Sequence, residues 1–294
     1  QDEECVLYGA RALSREAYFR VQAGRVSTSV PVSPAASTDR LYLVNASGLP
    51  EFRPVYEAFS RMGFYNLNPQ VIRELQAPEA GDLLLRDGGN LSSVIARMAK
   101  VAPERKALIE EYLSKVARNI HGVEATAVGP KESLEFKQDV AGAKYPWRFF
   151  AANMSDGTLR ALGVLVALFQ SDHDSTKVPL VGIEEPEVAL HPAAAGVLLD
   201  ALREASSLRQ VIVTSHSPDL LDDNDIKADE IYSVTSVGGI TYLAPIDDAG
   251  RRMLYDHLYT AGELLRMNQL TAQPELFDEL SNARQFELFN LSSE

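Results

Sequence analysis

Three short stretches of this chain hold residue types suited to phosphate chemistry. In the first, Met154-Ser155-Asp156-Gly157-Thr158 precedes a long apolar run. A Ser-x-Gly turn that opens a helix offers free backbone N–H groups and the positive end of the helix dipole to an anion. The second, Val178 to Glu187, is an apolar strand ending in Glu184-Glu185-Pro186-Glu187. Carboxylates at the tip of a rigid buried strand can hold Mg2+ and orient an attacking water. The third, Val211-Ile-Val-Thr-Ser-His216-Ser-Pro, is a second apolar strand, ending in an imidazole able to touch a terminal phosphate. In this order and spacing the three stretches read as half of a nucleoside-triphosphate site.

These residues resemble the ABC-type ATPases, most closely the branch holding the structural-maintenance-of-chromosomes and RecF-like proteins and small bacterial AAA-family ATPases. The resemblance makes Met154 to Thr158 the signature loop and Leu180 to Glu185 the Walker B strand. It makes Ala189-Leu190-His191-Pro192 the D-loop and Thr214-Ser215-His216 the switch-histidine loop. The match runs from about Asn153 to Pro218, with a weaker likeness at Asp87 to Leu91 and at Gly262 to Arg266. It implies ATP and Mg2+ as cofactors and a dimer in which each protomer's signature loop touches the ATP held by the other. Ser155, Asp156, Gly157 and His191 would then be the nucleotide-binding residues, with His191 at the dimer interface. Glu184 would hold Mg2+, Glu185 would be the general base, and His216 would sense the γ-phosphate. Two departures stand out. Asp156 replaces a glycine, and an acid beside a triphosphate is unfavourable unless it points away. Glu184 replaces the usual Asp, which displaces the carboxylate by about one bond length. Glu187 reads as structural or gating rather than catalytic.

A P-loop needs G-x-x-x-x-G-K-[ST], because glycine backbone wraps the phosphates, Lys neutralises them and the hydroxyl binds Mg2+. No Gly-Lys dipeptide occurs in the chain, and Ala23 to Thr28 has Arg where Lys belongs. In the family the P-loop precedes the quoted motifs. The expectation is a C-terminal portion lacking the Walker A loop, with that loop supplied by preceding residues or by a partner polypeptide.

The elements that must position these residues follow from periodicity. From Asn153 onward helix and strand patterns alternate, which implies a parallel sheet. Leu159 to Phe169 is apolar nearly all round and reads as a buried helix. Pro192 to Ala205 and Leu254 to Met267 read as helices, and Glu230 to Val237 with Ile240 to Ala244 as a hairpin through Gly238-Gly239. Upstream, Val6 to Tyr8, Tyr18 to Val21 and Leu41 to Val44 read as strands, Pro54 to Met62 as a short helix, and Phe64 to Pro69 as ending in a turn. Leu91 to Ile120 is helical and divided by Pro103, with Asn90 as its cap. Residues 123–150 alternate as strands, with Tyr145, Trp147, Phe149 and Phe150 assigned to the core. The fold class is α/β: a P-loop NTPase core of the ABC/SMC type, its parallel sheet flanked by helices, plus an antiparallel β-subdomain and a short helical insertion. The expected divisions are a β-subdomain with connecting helices at 1–90, the insertion at 91–121, the nucleotide-binding core at 122–270 and a helical tail at 271–294.

With 294 residues, 46% hydrophobic and 23% charged, the composition is that of an ordinary globular chain. The net charge of −13 argues against a surface coated in basic residues for gripping DNA, although nucleic acid stays open as a partner through a local groove. The basic residues Arg97, Lys100, Arg105, Lys106, Lys115 and Arg118 are interrupted by acids and read as a solvated helix face. No apolar run is long enough to span a bilayer, and a lone Cys5 suits the cytoplasm. The reading is ATP binding and hydrolysis by a head that dimerises on ATP, as switch or motor in DNA repair or anti-phage defence, beside a nuclease or toxin as effector. The alternative is an ATP-binding regulatory or scaffold module that controls such an effector without obligatory turnover. A third reading, a metal-dependent nuclease using Glu184, Glu185, Glu187 and His191, lacks the expected acid partners around Asp223 and Asp225.

Overall fold

Alternation of apolar and polar residues turns one face of the first strands inward. Strands β1 (Asp2–Tyr8), β2 (Arg15–Gln22) and β3 (Arg25–Thr28) pair antiparallel in that order, and Ala17, Phe19 and Val21 of β2 enter a small core of their own. The computed structural model describes residues 2–8, 15–31, 33–170, 178–237 and 240–273. Leu41 to Val44, expected as a strand, instead leads into helix α1 (Tyr42–Ala46). Tyr42, Leu43 and Ala46 share one buried face at helical spacing, and the Tyr42 ring meets Phe19 edge-on at 4.8 Å. Glu3 accepts hydrogen bonds from the Tyr42 and Leu43 N–H groups, so a β1 side chain satisfies first-turn donors that a helix leaves free. Helix α2 (Arg53–Ser60) follows, and the buried Phe52 before it closes this cluster against Phe19.

The main core begins at β4 (Gly63–Tyr65), just before the turn expected by Pro69, and continues through α3 (Pro69–Arg73), whose first turn is capped by the Asn68 side chain. Helices α4 (Leu91–Val101) and α5 (Pro103–Val116) divide at Pro103 as the sequence predicts. Asn90 does not cap α4. Its buried amide bonds the Leu85 N–H and the Leu83 carbonyl, while the Gln76 side chain accepts from the Ser92 N–H. The cap thus comes from a residue remote in sequence, which a local pattern does not reveal. Three of the six basic residues of this region are matched by acids: Arg97 with Asp82 (2.9 Å), Lys106 with Glu110 (2.5 Å) and Lys115 with Glu111 (2.7 Å).

Strands β5 (Ile120–Val128), β6 (Lys131–Gln138) and β7 (Trp147–Phe150) form an antiparallel sheet in that order. The aromatics near β7 are not the core residues expected. Tyr145, Trp147 and Phe150 are exposed, and Phe149 alone of the four packs against the main cluster. β7 is the last strand of this sheet among the described residues, pairing only with β6, and Trp147 lies beside Phe149 on the same face at 6.1 Å between ring centroids.

Helix α6 (Asp156–Phe169) is buried along its length from Thr158 onward. Such an all-round apolar helix is stable only inside a protein, and here it lies between α3, α5, α7 (Ala195–Ser206) and β8 (Leu180–Glu184). After α7 comes β9 (Gln210–Thr214), and β4, β8 and β9 make a parallel sheet in the order β4-β8-β9. Glu184 stands opposite Thr214, so β8 and β9 end side by side. Among the described residues no strand pairs with the far edge of β9, and Ile212 there is 47% exposed.

The expected hairpin is β10 (Tyr232–Val237) with β11 (Ile240–Pro245); its Gly238-Gly239 turn lies outside the described residues. The single helix expected from Leu254 to Met267 is two, α8 (Asp248–Tyr255) and α9 (Ala261–Arg266). Thr260 and Glu263 form a reciprocal capping box that restarts the helix. Pro274 to Phe289, read as a tail, also lies outside the described residues. Among the described residues no helix is long and apolar enough to cross a membrane.

Candidate functional site

The site gathers where β8 and β9 end together. Glu185 follows the last residue of β8, and its backbone N–H donates to the Thr214 carbonyl at 2.9 Å. Its φ of 44° lies in the left-handed region, as does the 66° of Ala189 four residues on. Non-glycine residues adopt this region at a cost of about 1 kcal/mol or more, and they collect where backbone geometry serves a site. The turn throws the Glu185 side chain toward His216, and Glu185 Oε1 and His216 Nε2 are hydrogen-bonded. With Glu185 a carboxylate, the imidazole is the donor. His216 is 84% exposed, so its other face is open to a ligand.

Glu184 points elsewhere. It accepts from the Asn66 amide at 2.5 Å, and Arg86 approaches it at 3.5 Å. Neither partner was legible in the sequence, since each lies about a hundred positions upstream with no local signal. Among the described residues no cluster of three or more acidic, His or Cys side chains could hold a metal. The donor set therefore fits Mg2+ only as it travels with a nucleotide, which commonly takes one or two protein carboxylates and fills the rest of its shell with phosphate and water. Glu184, 51% exposed, would be that carboxylate once Arg86 turns away. Asp223, which the nuclease reading would need as an acid partner, is clasped by Arg203 at 2.9 and 3.2 Å.

The residues read as the signature loop are each held or closely approached by other parts of the chain. Ser155 is the N-cap of α6 and accepts from the Thr158 N–H at 3.1 Å. Asp156 is held by Arg73 at 2.6 Å, and the same guanidinium nitrogen donates to the Met154 carbonyl at 2.9 Å. The carboxylate that looked unfavourable beside a triphosphate is thus turned toward a cation from α3. Gly157 sits against the turn after β8: a methyl placed on it would fall 2.4 Å from the Ala189 carbonyl oxygen. His191 accepts through Nδ1 from the Ala193 N–H at 3.1 Å.

Arg160 binds these pieces together, and the sequence reading passed over it. It is the one charged side chain in the buried length of α6, and that is the signal by which it could have been found. Its guanidinium donates to the Leu67 carbonyl (2.7 Å), the Glu184 carbonyl (2.9 Å) and the Glu185 carbonyl (3.0 Å). Burial pushes its pKa down, and the charges of Glu185, Glu187 and Glu184 oppose that shift. The helix tip and the carboxylate turn are therefore one rigid assembly.

Residues 32–222, more than half of the chain, match the family described as "AAA domain, putative AbiEii toxin, Type IV TA system". No curated protein matches. Among solved structures the chain is similar to SMC head domains. One is the SMC head from Thermotoga maritima, at 14% identity and a TM-score of 0.40, covering 83% of this chain and 73% of that one. Another is an SMC head bound to the C-terminal winged-helix domain of ScpA, at 15% identity and 0.45, covering 80% and 69%. A third comes from work on ATP-driven dimerisation and DNA-stimulated activation of SMC ATPases, at 16% identity and 0.39, covering 57% and 96%.

Proposed function

The chain belongs to this AAA-domain family, and from that premise we propose that it supplies the water-activating half of an ATPase site and that two copies close around ATP. The observation that carries the reading is the meeting of Glu185 and His216 at the ends of adjacent parallel strands. Phosphoryl transfer has a loose transition state, so positioning and charge do most of the work. Glu185 orients the attacking water and accepts its proton. His216 shares that carboxylate and turns its open face to the γ-phosphate. Glu184 receives the Mg2+ that accompanies ATP, and that ion neutralises charge developing on the phosphates.

Ser155, Gly157 and the tip of α6 face a second copy, where the helix dipole meets the partner's phosphate. His191, beside the same turn, stands at that interface. Among the described residues β9 has a free, β-branched edge, which supports a further strand lying there, one that would carry a Gly-Lys loop. ATP-driven closing and opening of the dimer would switch an effector, a nuclease or toxin. The family's toxin–antitoxin description favours anti-phage defence over DNA repair.

The test is phosphate release and sedimentation of the full-length protein with Mg-ATP. Glu185→Gln should lower turnover at least a hundredfold while an ATP-dependent dimer accumulates. Turnover unchanged by that substitution removes Glu185 from the chemistry. An ATP-dependent function that persists without turnover supports the scaffold alternative instead.

A further inference from the structure

We infer that Glu187 is a positioning residue, which sets His216 against Glu185 through the hydroxyl of Ser215. His216 is held by little of its own, being largely exposed and bonded to Glu185. The backbone on either side of it is fixed by Ser215. That hydroxyl donates to Glu187 Oε1 at 2.5 Å, and its oxygen accepts the Ser217 N–H at 3.0 Å. One carboxylate in the turn after β8 thus anchors the loop after β9.

The other oxygen, Glu187 Oε2, is buried with no hydrogen-bond partner among the described residues, and so is Nε of Arg160. Buried unpaired polar atoms are costly, and each one in a folded protein asks for an explanation. Glu187 lies within electrostatic reach of the Arg160 guanidinium, whose NH2 group holds the carbonyls of Glu184 and Glu185. The Glu187–Ser215 hydrogen bond therefore ties the carboxylate turn to the histidine loop, while Arg160 separately holds the backbone of that turn at Glu184 and Glu185. A shift of about 1 Å between such groups costs turnover far more than it costs ligand binding.

The inference deepens the ATPase reading and rests on it for its kinetic arm alone. Its other arm is hydrogen exchange over residues 214–218 of the full-length protein without nucleotide. Glu187→Ala and Ser215→Ala should each lower kcat roughly tenfold at unchanged KM for ATP and speed exchange of the Ser217 amide by a similar factor. The double variant should match either single one, because both remove one link. Ser215→Thr, which keeps the hydroxyl, should restore both readouts. Effects that multiply in the double variant, or exchange that is unchanged in both single ones, overturn the inference. Should Glu187→Ala fail to fold, Ser215→Ala and Ser215→Thr carry the test. If the parent protein releases no phosphate, the ATPase reading fails while the exchange result still decides this one.

Discussion

Arg160→Met isolates what holds the helix tip to the carboxylate turn. Methionine keeps much of the aliphatic stem and fits a buried helix, so the loss falls mainly on the guanidinium. Three backbone carbonyls, of Leu67, Glu184 and Glu185, lose their donor. A hydrogen bond to a charged group contributes about 1.5–3 kcal/mol, and a buried acceptor left unpaired costs about 1–3 kcal/mol. Against this stands relief from burying an arginine that is 8% exposed and has one guanidinium nitrogen unpartnered. Removing one member of a buried charged cluster typically costs about 3–5 kcal/mol net, because the groups left behind remain buried. Of the three acids whose charges act on Arg160, Glu187 keeps a buried oxygen while the Glu184 and Glu185 side chains are 51% and 37% exposed, so the lower end of that range applies. At about 2–4 °C per kcal/mol for a chain of this size, the melting temperature should fall by roughly 10 °C. Urea denaturation followed by circular dichroism gives the free energy, and differential scanning calorimetry gives the shift. Arg160→Lys should recover part of the loss, since an ammonium reaches fewer of the three carbonyls. A change below about 1 kcal/mol in the methionine variant would refute the idea that this guanidinium joins the two halves of the site.

Other consequences follow from the same geometry. Gly157→Ala forces a methyl against the Ala189 carbonyl, a backbone atom that can yield only by moving the turn; a loss of about 1–3 kcal/mol is expected in denaturant titration, with ATP-dependent dimerisation impaired in sedimentation. Asp223 has its pKa lowered chiefly by its hydrogen bonds from Arg203. A carboxylate whose folded pKa lies below its unfolded value stabilises fully above that unfolded value, near pH 3.9, and loses the contribution as pH falls through the lower folded pKa. Asp223→Asn should therefore cost about 0.5–1 kcal/mol at neutral pH, discounted for the pair's partial exposure. The difference between variant and parent should vanish in strong acid, as read from urea midpoints against pH.

Much of the fold was legible because its signals are local. The apolar run of α6, the Pro103 break, the strands β8 and β9 and their polar tips all follow from spacing within a dozen residues. The candidate site was legible for the same reason: Glu184, Glu185 and His216 end strands, and Ser155 opens a helix. What the sequence missed was set by partners remote along the chain. Tyr42 to Ala46 is helical because its buried face meets Phe19 and a β1 glutamate satisfies its first N–H groups. Asn90 gives up its capping role because the interior turn needs its amide more.

By itself, then, the order of residues determined which polar groups this chain sets at the ends of which elements, since hydroxyl, carboxylate and imidazole at element ends are properties of neighbouring positions. Only the tertiary structure decided how those groups are held. It turned Asp156 toward Arg73, gave Glu184 to Asn66 and Arg86, and set Arg160 and Glu187 between the two strand ends. Those pairings depend on distances in space between segments up to 118 residues apart, and no periodicity along a chain encodes them.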